Sequence, residues 1–135
     1  MKEIQILIKL QALKNFNDKL LLNKELSYYI EIYFSSNRVK SKIIKNYPHD
    51  NSDILLLNQT LCLKHYTGNR LEFWFRSETT DSVLGSFEIP LDQLTRNSEG
   101  FIDGINDFCL DGLAFATLEF GYQFIQNIIF IYELK

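Results

Sequence analysis

The chain has 135 residues, of which 46% are hydrophobic, 14% aromatic and 23% charged. That length suits one packed domain and is short for two, and a chain of this size buries about two thirds of its unfolded surface without disulfides or a structural metal. A net charge of −3 argues against a nucleic-acid binder, and two Pro and six Gly exclude a fibrous or linker-like chain.

Ile4, Ile6, Ile8 and Leu10 alternate with Gln5, Leu7, Lys9 and Gln11, the period of two that marks a strand packed on one side. Residues 14–27 lack a clean period and read as a long connection with room for a short helix. The aromatic and β-branched run Tyr28 to Phe34 restores the strand signal, and Ser35, Ser36 and Asn37 turn the chain into a returning strand, Val39 to Ile44. Asn46 to Asp53, with Pro48, is a clear loop. Strands follow at Ile54 to Tyr66 and Leu71 to Phe75, joined through Thr67, Gly68 and Asn69, and Trp74 between Phe73 and Phe75 is expected in the core. Ser77 to Ser82 is a second polar loop. Val83 to Ile89 is a strand stopped by Pro90, with a short helical turn at Leu91 to Leu94. Residues 95–112, with Gly100, Gly104 and Gly112, read mostly as connection. Leu113 to Phe124 is the last strand, with Ala114, Ala116, Leu118, Phe120, Tyr122 and Phe124 on one face. About eight short strands with little helical periodicity predict an all-β protein, an eight-stranded antiparallel β-sandwich over residues 1–124. Residues 125–135 form an apolar C-terminal extension.

Cys62 and Cys109 lie in apolar stretches with no CxxC spacing, and Met1 to Leu10 is too short and too interrupted for a secretory signal. Phe124 to Tyr132 is broken by Gln126 and Asn127 and falls well short of the roughly 20 residues of a membrane-spanning helix. The expected setting is a reduced, cytoplasmic one, with a cytoskeletal or membrane-surface association as a refinement. Charge is uneven: residues 1–50 carry nine Lys/Arg against five Asp/Glu, residues 51–135 five against twelve. Arg38, Lys40, Lys42 and Lys45 form a run with no acid between Glu31 and Asp50. Such a run is either a solvated strand face or a patch for a phosphate-rich surface.

The order of these features resembles the C2 domain, the calcium- and phospholipid-binding β-sandwich family, from about Ile4 to Phe124. Ser27-Tyr28-Tyr29-Ile30-Glu31-Ile32 resembles the family's Asp-Pro-Tyr-Val strand opening, and Val39-Lys40-Ser41-Lys42-Ile43-Ile44 its Lys-Thr-Lys-Val strand. Leu57-Asn58-Gln59-Thr60-Leu61-Cys62-Leu63 resembles the Trp-Asn-Gln-Thr-Phe segment. Leu71-Glu72-Phe73-Trp74-Phe75, Ser82-Val83-Leu84-Gly85 and Ile89-Pro90-Leu91 resemble the strand, turn and closing segment that follow, and Gly112-Leu113 opens a run similar to the last strand. The resemblance implies a calcium site of Asp carboxylates, since a hard divalent cation takes six to eight oxygen ligands. Here Ser27 stands at the strand-opening Asp, and Arg76, Glu78 and Ser82 stand where the family places Asp, with Asp81 one position off and Asp18 a survivor of the first loop. No calcium binding is expected.

Other chemistries are thinly supported. His49, and His65 at a Cys-x2-His spacing from Cys62, supply too few ligands for zinc. Glu99, Asp103, Asp107 and Asp111 recur every fourth residue and read as a solvated acidic loop. No nucleophile, phosphate loop or confined carboxylate pair stands out, so neither catalysis, nor a cofactor, nor a metal, nor a small-molecule substrate is expected. The favoured reading is a calcium-independent adaptor or structural subunit that binds protein partners in a larger assembly of cytoskeletal or trafficking type. Its expected contact is the tail, Ile128, Ile129, Phe130, Ile131 and Tyr132, an exposed apolar patch if left uncovered. The alternative is a peripheral membrane module that binds anionic phospholipids through Arg38, Lys40, Lys42, Lys45 and Lys64, at about 1 kcal/mol per cation near such a surface.

Overall fold

A computed structural model describes residues 4–16, 27–34, 37–45, 54–65, 70–96 and 99–125. Its strands are β1 (Ile4–Lys14), β2 (Ser27–Phe34), β3 (Asn37–Lys40), β4 (Ile44–Lys45), β5 (Ile54–His65), β6 (Arg70–Ser77), β7 (Val83–Pro90), β8 (Ile102–Leu110) and β9 (Leu113–Ile125), with one 3-10 turn at Leu91–Gln93. They follow the order β3-β2-β6-β7-β8-β9-β1-β5, every pairing antiparallel, and β4 also pairs with β2. β7 and β8 share a single pairing, Ser86 with Cys109. The ladder folds there into two layers, β3-β2-β6-β7 over β8-β9-β1-β5, an all-β sandwich. At the other end β3 approaches β5: the Asn37 side-chain amide donates to the Lys64 carbonyl, and the Lys42 N–H donates to the Gln59 side chain at 2.8 Å.

Aromatic rings fill the space between the layers. Phe73 of β6 lies 5.1 Å from Phe120 of β9, and Phe75 lies 5.2 Å from Phe108 and 5.3 Å from Phe115. Ile6, Ile8, Leu10, Ile30, Ile32 and Leu118 complete a core that needs no cross-link. The two cysteines are free and exposed.

Three sequence expectations require correction. Val39 to Ile44 is not one strand. Ser41 interrupts it: its hydroxyl accepts the Ile30 N–H at 2.9 Å while its own N–H donates to the Ile30 carbonyl at 2.8 Å, so a side chain takes the place of a ladder carbonyl. Residues 95–112 are not mainly connection, because β8 occupies Ile102–Leu110. Of its inward positions, Ile102, Gly104, Asn106 and Phe108, the middle two lack the usual apolar signature; the partner strand fills the space over Gly104, where a Cβ would lie 2.5 Å from the Phe120 ring. Asp103 and Asp107 of the expected acidic loop are therefore outward strand residues. Lastly, Ala114 does not share the inward face of β9. A register shift near Cys109 leaves Ala114 exposed and turns Phe115 into the core. The loops proposed at Asn46 to Asp53 and Thr67 to Asn69, with His49, lie outside the described residues, as does Asp18.

Candidate functional site

Alternation along β2 and β6 sends Tyr28, Ile30, Ile32, Phe73 and Phe75 into the core and Tyr29, Glu31, Tyr33, Glu72, Trp74 and Arg76 to the outer side of the sheet. Strand pairing then fixes who meets whom. One row across the sheet reads Arg38, Tyr33, Glu72, Glu88; the next reads Lys40, Glu31, Trp74, Ser86. A third begins with Tyr29 and Arg76.

At the centre of this outer face Glu31 is only 2% exposed. Leaving a carboxylate there without partners would cost several kcal/mol. Glu31 has three. The Tyr33 hydroxyl donates to Oε1 at 2.7 Å, the Arg76 Nε donates to the same oxygen at 3.1 Å, and an Arg38 guanidinium nitrogen lies 3.8 Å from Oε2. Arg76 also stacks over Trp74 at 5.6 Å, Trp74 meets Tyr33 edge-on at 6.4 Å, and Lys40 sits over the Tyr29 ring at 5.1 Å. The Tyr33 hydroxyl and then the Glu31 carboxylate hold the Arg38 guanidinium still more firmly protonated than usual. Burial, followed by the Asp81 carboxylate that accepts the phenol hydrogen at 3.3 Å, raises the Tyr29 pKa above its ordinary value. Toward β7 the face turns acidic. Glu72, Trp74, Ser86, Phe87 and Glu88 line a shallow pocket of about 120 Å³, and Arg70 spans Glu72 and Glu88 at 3.7 and 3.3 Å.

The basic residues singled out in the sequence are spread over β3, the interruption after it, β4 and β5. Arg38 and Lys40 share the outer face, and Arg38 is turned to Glu31. Lys42 lies in the interruption after β3 and Lys45 opposite Ser27 on β4, both exposed. Lys64 is exposed on β5 opposite Gln5, and its carbonyl accepts from the Asn37 side chain of β3. The tail residues Ile128, Ile129, Phe130, Ile131 and Tyr132 lie outside the described residues. Trp74 is a correction: its neighbours Phe73 and Phe75 take the core, and the indole lies half-buried on the outer face. Sequence reading missed Glu31, Tyr33, Glu72 and Glu88 as site residues, although Tyr29-x-Glu31-x-Tyr33 and Glu72-x-Trp74-x-Arg76 place aromatic and charged groups at the outward positions of neighbouring strands.

The loop after β6 holds the positions where calcium ligands were weighed. The Glu78 N–H donates to the Ser27 carbonyl at 2.8 Å, the Ser27 N–H donates to Thr79 Oγ1 at 3.3 Å, and Asp81 accepts from Tyr29. Arg76 points onto the sheet beside Glu31. Among the described residues, no three His, Cys, Asp or Glu side chains come together as a metal site, and no helix is long and apolar enough to cross a membrane.

Solved structures share this architecture. A single C2 domain of plant Extended Synaptotagmin 1, its domain A, superposes with a TM-score of 0.69 at 11% identity, covering 91% of this chain and 95% of that one. The chain has the fold of a C2 domain. A C2 domain-containing protein from an elicitor-responsive gene matches this C2-like domain at TM-score 0.68 and 17% identity over 91% of this chain and 89% of its own. The paired C2 domains, A and B, of Extended-Synaptotagmin 2 match at TM-score 0.67 and 13% identity, where 92% of this chain spans 40% of that one. No protein-family model and no curated protein matches the chain in sequence.

Proposed function

We propose that this C2-like domain is a non-catalytic, calcium-independent protein-binding module, and that its working surface is the outer face of β3, β2, β6 and β7. One observation carries the reading: the cations of the basic strand are interleaved with carboxylates and aromatic rings. Arg38 and Arg76 neutralise the buried Glu31, and Glu72 and Glu88 continue the same face. An anionic membrane favours uniform positive potential, whereas protein interfaces are enriched in Tyr, Trp and Arg packed together. Tyr33, Trp74, Arg38 and Arg76 have that composition. At the end of β6 Arg76 offers no oxygen ligand, and in the loop after it Asp81 is engaged by Tyr29; both support calcium independence. The apolar tail, Ile128 to Tyr132, is a second contact for the same assembly.

Affinity capture of a partner from the source cells, comparing variants, tests the reading. Trp74→Ala is expected to lose a partner that Lys42→Glu/Lys45→Glu retains. The reverse pattern would overturn it and favour a basic-patch surface. Removing residues 126–135 separates the contribution of the tail.

A further inference from the structure

Where the sandwich folds from one layer to the other, β8 keeps an open edge. It pairs with β9 from Ile102 to Leu110 but with β7 only through Cys109 and Ser86. Among the described residues, the other edge of β8 over residues 102–107 pairs with no strand, a length of about 20 Å. Gly104 and Asn106 face the core side of this stretch yet are partly exposed, so solvent reaches it. The unpaired end of β7 is guarded by Pro90. Free edges are ordinarily protected by Lys, Pro or a bulge, and residues 102–107 have none of the three, the register shift of β8 lying beyond them at Phe108 and Cys109.

The outward side chains of the stretch are Asp103, Ile105 and Asp107, an apolar residue between two acids. Ile105 is 58% exposed. Asp103 accepts from Gln11 at 3.5 Å and Asp107 from Thr117 at 2.6 Å, and among the described residues neither makes an ion pair. The nearest cations are engaged elsewhere: Lys14 with Glu119 at 2.9 Å, and Lys9 over the Phe101 ring at 6.0 Å. Beside Ile105 and Asp107 an open hollow of about 400 Å³ extends to Asn15 and Thr117.

From this geometry we infer that the open edge of β8 takes up an extended segment of a partner protein as an added strand, one that carries Lys or Arg, an apolar residue, and Lys or Arg at alternate positions. Main-chain hydrogen bonds supply the pairing and the alternate side chains the selectivity. Residues directly opposite one another lie about 5 Å apart, so the two cations meet Asp103 and Asp107 while the apolar residue covers Ile105. The hollow beside Asp107 leaves room for the stem of one cation. Because the outward row is symmetric about Ile105, the same pattern fits a parallel or an antiparallel segment. A second copy of the chain does not fit: β8 set antiparallel against β8 about Ile105 brings Asp103 opposite Asp107 twice. This edge is separate from the face of β3-β2-β6-β7 proposed above as the working surface.

Titration of a labelled peptide, acetyl-Ser-Lys-Thr-Val-Thr-Lys-Ser-amide, with the full chain, followed by fluorescence anisotropy, tests this. The natural chain is expected to bind it, and more weakly as salt is added. Ile105→Lys and Asp103→Lys, both at exposed positions, are each expected to weaken binding about fivefold or more. Trp74→Ala is expected to leave it unchanged. Methylating the peptide nitrogens at every second residue separates strand pairing from charge attraction: one alternating set removes the N–H groups turned to β8 and abolishes binding, and the other set keeps it. No binding by the natural chain, equal binding of both methylated peptides, indifference to Ile105→Lys and Asp103→Lys, or loss in Trp74→Ala overturns the inference. Binding that appears only once residues 126–135 are removed also overturns it, by making the tail the occupant of the edge. The reading of the β3-β2-β6-β7 face is judged separately, by the partner that Trp74→Ala loses.

Discussion

The two outer faces of the sandwich use the same strand alternation to opposite ends. On β8-β9-β1-β5 the outward row Leu56, Ala12, Glu119, Ile105 leaves Leu56 70% and Ile105 58% exposed, and the ion pair Lys14 with Glu119 at 2.9 Å is about one-third exposed. On β3-β2-β6-β7 a carboxylate is buried in the outward layer itself, under two guanidinium groups and a phenol. The first face is an ordinary solvated surface with scattered apolar residues. The second is built, since a buried charge persists only where several strands contribute partners to it. That contrast, more than the count of basic residues, is what singles out the second face as the proposed working surface.

The contrast can be broken at its centre. Arg76→Met takes the closer of its two cations from the buried Glu31 and is expected to cost about 3 kcal/mol, read as a lowered denaturant midpoint. The double variant Glu31→Leu/Arg76→Met is expected to recover much of that loss, because no buried charge is left and Arg38, which also loses Glu31, is solvated. Ser41→Ala leaves the buried Ile30 N–H without its acceptor at the edge of the same sheet, an expected loss of about 1–2 kcal/mol. Alkaline pH sharpens the comparison next. Because burial and Asp81 raise the Tyr29 pKa in the folded state, the neutral phenol stabilises the fold below pH about 10, and that stabilisation is lost as pH rises through the folded value. Denaturation midpoints should therefore fall above pH about 10, and Tyr29→Phe should flatten that fall. On the solvated face Lys14→Met should change stability by less than about 1 kcal/mol.

Much of the fold was legible because alternation is a local property. Ile6, Ile8 and Leu10, Tyr28, Ile30 and Ile32, and Leu118, Phe120 and Tyr122 all face inward as their spacing predicts. The strand β8 was not legible, because the group that fills its inner face, the Phe120 ring, belongs to another strand. The site was harder still. Glu31 reads as a solvated outward residue until Arg38 of β3 and Arg76 of β6 are brought beside it across strand pairings that local sequence does not encode. In the run Arg38, Lys40, Lys42, Lys45, adjacency in sequence likewise gave no sign of the break at Ser41 or of the acid on the neighbouring strand.

The central claim, that this face is built for protein and not for an anionic membrane, is tested most directly by sedimenting the purified chain with neutral and anionic vesicles, with and without calcium, at two salt concentrations. The account predicts that the chain stays in the supernatant under every condition. Salt-sensitive, calcium-independent pelleting with anionic vesicles alone, abolished by Arg38→Glu/Lys40→Glu, would contradict it.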